Sequence, residues 1–140
     1  MKKQGFVLIG AIRASAMVAV VFGLLTINAG GSVLFGDGSA ARAAGHYVGF
    51  IVWFNFLAGF AYVAAGIGLW LKRRWAAWLA LGLAATTVAA FAIFGLYVAS
   101  GGAFEMRTVW AMTLRSVVWI SIGLLACRAI GCGRPGAANG

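Results

Sequence analysis

The charged residues of this 140-residue chain are few and bunched, and between the bunches lie four long stretches that are almost free of charge. Residues 14–36, between Arg13 and Asp37, carry none, and neither do residues 47–71, between His46 and Lys72. Residues 75–104, between Arg74 and Glu105, are also uncharged, and residues 108–127 contain only Arg115. A helix crosses a bilayer with about 20 apolar residues, so each stretch is long enough to span as a helix. Barrel strands would instead show alternation over segments of about ten residues. The expected fold is therefore an all-α membrane protein: a single four-transmembrane-helix up-down bundle over residues 1–140. Its spans are expected at about 14–36, 47–71, 75–99 and 108–128, with Ser100-Gly101-Gly102 ending the third.

Composition agrees. Hydrophobic residues make up 64% and charged residues 9%, against roughly 45–50% and about 25% in soluble domains, so lipid must serve as part of the solvent. A net charge of +9 would suggest nucleic acid in a soluble chain. Here the basic residues cap apolar runs, where they set topology, and no nucleic-acid partner is expected. Lys2, Lys3, Arg13, Lys72, Arg73, Arg74, Arg128 and Arg134 fall on one side, opposed by only Arg42 and Arg107 with Asp37 and Glu105. Retention of positive charge in the cytoplasm puts both termini inside and the two longer loops outside. Lys2-Lys3 followed by apolar residues also resembles a signal sequence, with Ile27-Asn28-Ala29 as its cleavage site. Arg13 interrupts the early apolar stretch and the later one is long enough to span, which favours a retained helix. The short Lys72-Arg73-Arg74 turn makes the second and third helices antiparallel neighbours.

Intramembrane charge is the costliest feature. Arg115 falls seven residues beyond Thr108, roughly 10 Å below the outer edge, and a charge there costs about 2.5–3.5 kcal/mol on insertion scales. Asn28 and Asn55 lie at matching depth, so Asn28, Asn55 and Arg115 are expected to form a buried polar layer. Glu105, Thr108, Met112, Arg115 and Trp119 recur at intervals of three and four and share a helical stripe. With His46 at the same surface, facing Glu105, they describe a polar funnel floored by Arg115; Glu105 has Arg107 or Arg115 as its expected partner. Two readings stand side by side: polar glue between helices, or a site for a ligand or solute. His46, Glu105 and Met106 or Met112 make a set that copper accepts, but without diagnostic spacing, and no metal or cofactor is expected.

In the second span, Asn55, Gly59, Tyr62 and Gly66 share one small-residue face. Trp53, Phe56 and Phe60 occupy an adjacent one, suited to lipid or a partner helix, with a quinone or sterol slot as the alternative. Trp70, Trp75 and Trp78 fit an interfacial belt. Cys127 and Cys132 have the spacing C-x4-C, not C-x-x-C, and are expected as free thiols in a reducing compartment. One histidine cannot supply two haem ligands. Asp37 and Glu105, the only two carboxylate side chains, offer no acid–base pair. No Lys-Ser or Lys-Thr follows the glycines at Gly30, Gly31 and Gly36 to make a phosphate loop, so the chain is not expected to be an enzyme. At a separation of 59 residues Phe35-Gly36 matches Phe94-Gly95 and His46 matches Glu105, which fits duplication and coincidence equally.

From His46-Tyr47-Val48 through Trp53-Phe54-Asn55-Phe56, and again at Gly101-Gly102-Ala103-Phe104-Glu105-Met106-Arg107-Thr108, the chain resembles small uncharacterised four-helix bacterial membrane proteins. That resemblance implies a bacterial cytoplasmic (inner) membrane and brings no activity or catalytic residues. The early membrane-embedded glutamate of small multidrug exporters is missing, as is the outward cysteine pair of quinone-linked thiol oxidases. The functional expectation is an accessory or scaffold subunit that binds a membrane-protein partner or a second copy of itself. Its alternative is a small transporter, channel or receptor for an anionic solute, lipid or metal.

Overall fold

The computed structural model describes residues 2–133, all of it helix, turn or coil, with no strand among them. Its elements are α1 (Lys2–Phe35), α2 (Ser39–Ala44), α3 (Gly49–Trp70), α4 (Arg74–Ala99) and α5 (Met106–Ala126), closed by a π-helical turn at Cys127–Gly131. Four of these helices are long and apolar enough to cross a membrane. Arg134, counted above among the basic residues of one side, lies outside the described residues.

The bundle is built on close approach. A Cβ placed on Gly23 would come within 2.8 Å of the Gly59 carbonyl oxygen, and one on Gly66 within 2.8 Å of the Ala16 carbonyl oxygen. Gly30 meets Phe56 in the same way. Matched in order, Ala16 with Gly66, Gly23 with Gly59 and Gly30 with Phe56 define a seam along which α1 lies on α3. Lipid tails are as apolar as leucine, so helices in a bilayer associate through such contact rather than through water's expulsion. The Asn55–Gly59–Tyr62–Gly66 face of α3 is this seam. α4 reaches α3 where Gly68 packs against Ala76 and Trp75, and reaches α5 where Gly123 packs against Leu81.

Two clusters form the interior. One, nearer Lys72, is rich in alanine, including Ala58, Ala65, Ala77 and Ala80, and closes around Tyr62 and Trp119. Their rings lie 4.6 Å apart. The other gathers Val48, Ile51, Ala90, Phe94 and Met112 at the far end. The two ends of the bundle are chemically distinct. Lys72, Arg73 and Arg74 lie at one, flanked by half-exposed Trp70, Trp75 and Trp78. The loops carrying Asp37, His46 and Glu105 lie at the other.

Both tight turns follow one device. Lys72 (φ 53°) and Gly101 (φ 90°) take the left-handed conformation. The next amide then reaches back five residues, Arg73 N–H to the Gly68 oxygen at 2.8 Å and Gly102 N–H to the Tyr97 oxygen at 3.1 Å. This double closure satisfies carbonyls a helix end leaves orphaned. A lysine in this conformation costs about 1–2 kcal/mol, offset in part by placing a cation at a helix C-terminus.

The structure adds to or departs from the sequence reading at three points. The first helix starts at Lys2, not near residue 14. Arg13 lies within this helix, its guanidinium 5.8 Å from the centre of the Trp70 ring. The loop after the first span holds a further short helix, α2. Cys127 and Cys132 are joined as a disulfide instead of standing as free thiols. The π-turn, ending on Gly131 at φ 87°, folds the chain back so that their Cα atoms are 4.8 Å apart, a closure that reasoning confined to the C-x-x-C spacing does not anticipate.

The seam makes a differential prediction for two glycines. Gly23→Ala should destabilise the protein by about 1–3 kcal/mol, since its new methyl meets backbone that cannot yield. Gly82→Ala, with nothing within 4 Å of the added Cβ, should be neutral or stabilising by up to about 1 kcal/mol. Unfolding in mixed detergent micelles, followed by circular dichroism, measures both.

Candidate functional site

Beyond Gly30 the seam opens. α1, α3 and α5 diverge around a cleft of about 160 Å³ with Tyr47 and Arg107 toward its mouth and Asn55, Thr108 and Arg115 on its walls. Arg115 is the tenth residue of the 21-residue helix α5, so its backbone sits close to the helix midpoint. Its Nε is buried and has no hydrogen-bond partner, and the same holds for the Oδ1 of Asn55. The guanidinium lies 5.6 Å from the centre of the Phe22 ring. Phe22 stacks in turn on Tyr62 at 5.9 Å, and Tyr62 on Trp119. This aromatic run closes the cleft toward the basic end. Tyr62 and Trp119 are fully buried.

The carboxylates are engaged elsewhere. Glu105 accepts a hydrogen bond from the His46 backbone N–H at 3.0 Å and stands where a Cβ on Gly45 would intrude. Asp37 accepts from both the backbone N–H (3.0 Å) and the hydroxyl of Ser39. Arg107 donates to the Ala43 carbonyl oxygen at 3.0 Å, so α2 and the start of α3 are tied to the start of α5 across the loops. Ser39 also holds the Asp37 carboxyl below its ordinary pKa.

The expected layer of Asn28, Asn55 and Arg115 is two-thirds present. Asn55 and Arg115 line one cleft, but Asn28 is exposed on the far side of α1. A helix turns about 100° per residue, and it is Thr26, with Gly23 and Gly30 at helical spacing, that faces inward and lines the cleft. Thr26 was missed; its place on the glycine face was the available signal. Met112 is corrected as well. It is buried among Val48, Ile51 and Phe94, not on the funnel wall. Thr108 lines the cleft as expected. Glu105 meets neither Arg107 nor Arg115 in a salt bridge, because the His46 amide and the Gly45 turn hold it.

No family model, curated protein or solved structure matches this chain. The site has to be read from its own chemistry. His46 is exposed and meets Glu105 through its backbone. Among the described residues no three His, Cys, Asp or Glu side chains come together as a metal set. At the aromatic floor itself, three further buried polar atoms lack hydrogen-bond partners: Tyr62 Oη, Thr87 Oγ1 and Trp119 Nε1.

The Asp37–Ser39 contact predicts a pH response at the head of α2. Asp37's folded pKa lies below its ordinary value of 3.8. Its stabilisation is therefore complete above that value and is lost as pH falls through the lower, folded one. The protection factor of the Ser39 amide should stay flat from neutrality to about pH 4 and fall below it. Asp37→Asn should remove that pH dependence, as read by amide exchange in detergent.

Proposed function

We propose that this chain is an integral membrane accessory subunit that recognises an anionic group in the cleft between α1, α3 and α5. The single observation that carries this reading is Arg115, set near the middle of a spanning helix with its Nε unpartnered and its walls open toward one end of the bundle. Stacking on a ring is worth about 2 kcal/mol when desolvated, less than the insertion cost of about 2.5–3.5 kcal/mol. Both carboxylates of the sequence serve the loops. The counter-charge comes from outside the chain, and a carboxylate or phosphate fits the guanidinium's fork of donors.

The closed aromatic floor favours recognition over conduction. A second reading, a small transporter, rests on the three unpartnered polar atoms at that floor, which add buried polar groups next to the cleft. In either case we infer an up-down bundle in a bacterial inner membrane. Both termini and the Lys72 turn are cytoplasmic and the cleft opens to the opposite side, supported by the basic-residue bias and by the ordered contacts of the seam.

The test uses inorganic phosphate and a short-chain phosphatidylglycerol as probes, titrated into the detergent-solubilised protein by calorimetry. Wild type should bind at least one, and Arg115→Ala should weaken it by about 10- to 100-fold, the worth of hydrogen bonds to a charged group. Arg115→Lys should retain part of the affinity, and Asn55→Ala should show an intermediate loss. All variants should elute as wild type in gel filtration. Equal binding by stably folded Arg115→Ala, or no binding of either anion by wild type, would sink the proposal.

A further inference from the structure

Asn28 is a sequence-expected site residue that the fold turns outward from a spanning helix. It follows Ile27, whose backbone and side chain pack against Gly59, and Gly59 is the eleventh residue of the 22-residue helix α3. Asn28 is thus level with the middle of α3, and its side chain is exposed. Its backbone carbonyl takes the Ser32 hydroxyl at 2.8 Å, but no contact within the bundle serves its carboxamide. A carboxamide facing hydrocarbon has neither water nor a polar neighbour to bond, and in membranes such groups drive helix association.

The surface around it suits a partner helix. Val18, Val21, Leu25, Asn28 and Ser32 are all exposed and recur at intervals of three and four, the spacing of a left-handed helix-pair seam. Beside them Met17, Val18, Val21, Phe22 and Leu25 border an apolar hollow of about 340 Å³, able to receive side chains of a facing helix.

We infer that α1 pairs with α1 of a second copy of this chain, with Asn28 bonded to Asn28 across a two-fold axis. The argument for a copy over a foreign helix is chemical. A carboxamide carries both donor and acceptor, so it is its own complement. A two-fold pair places identical residues opposite one another at identical depth without further adjustment. A foreign helix would need a polar side chain at that same depth. None of Val18, Val21, Leu25, Asn28 and Ser32 lines the cleft, so the pairing uses other residues than anion recognition does, and the two meet only at Phe22, which borders the hollow and lies against Arg115.

The test is energy transfer between donor- and acceptor-labelled protein in vesicles, at increasing lipid dilution. Wild type should associate. Asn28→Leu should weaken association about three- to thirtyfold, the range measured for interhelical polar contacts, while Asn28→Gln should preserve most of it. As a second readout, Val21→Cys and Leu25→Cys should form disulfide-linked dimers on mild oxidation, whereas Ile93→Cys, exposed on α4, should not. Monomeric wild type at every dilution would overturn the inference, whatever other protein it retains from native membranes. So would association that Asn28→Leu leaves unchanged, or cross-linking at Ile93→Cys in place of Val21→Cys.

Discussion

The seam between α1 and α3 is the contact on which the other features depend. Glycine at 23, 59 and 66 lets two backbones come within reach of each other, where any Cβ would strike a carbonyl oxygen or an aliphatic side chain. In water such a surface would be a poor core. In lipid, where apolar side chains gain little by leaving their surroundings, the number of atoms in contact decides which faces pair. The seam also fixes what its margins become. At one margin the helices part at Gly30 and Phe56 and the polar cleft opens. At the other, past Ala16 and Gly66, an apolar groove of about 320 Å³ runs to Trp70 and Leu71. By committing one face of α1 to α3, it lays Phe22 beside Arg115 and sends Asn28 outward.

Charge is the second constraint, and it works by scarcity. With two acidic side chains in the whole sequence, any basic group inside the bundle competes with the loops for a counter-ion. The loops have both: Glu105 bridges to the His46 amide, and Asp37 caps Ser39. Arg115 is left with the face of Phe22, an attraction smaller than the cost of placing the charge. Cleft and charge therefore belong to one balance. A chain that needed only glue between α1, α3 and α5 could have taken a neutral amide at 115, as it does at 55.

What could be read from the sequence divides by geometry. Depth along a helix follows from counting residues, so the four spans, the place of Arg115 inside the fourth and its level with Asn55 were legible. Facing on α3 was legible too, because Asn55, Gly59, Tyr62 and Gly66 announce a stripe of small residues with one polar group. Azimuth on α1 was not inferred for Asn28, whose polarity suggested an inward place while the glycines at 23 and 30 pointed elsewhere. Met112 lies on the same stripe as Arg115, yet α4 covers that stretch of α5 and buries the thioether among Ile51 and Phe94. The disulfide was out of reach for another reason. It depends on a π-turn and a left-handed Gly131, which residue spacing alone does not specify.

The two proposed uses of the chain meet in α1, the helix with the least support. It leans on α3 through the seam and reaches α5 at Phe22, while its opposite face lies open. Pairing through Asn28 would supply the missing partner on that open face. It would also steady the Phe22 ring that lies against Arg115. An anion entering the cleft would compete with that ring for the guanidinium, and any displacement of Phe22 would be felt along α1. Six residues separate Phe22 from Asn28, under two helical turns. Coupling between the two faces would then require only a small rotation of α1 on its glycine seam.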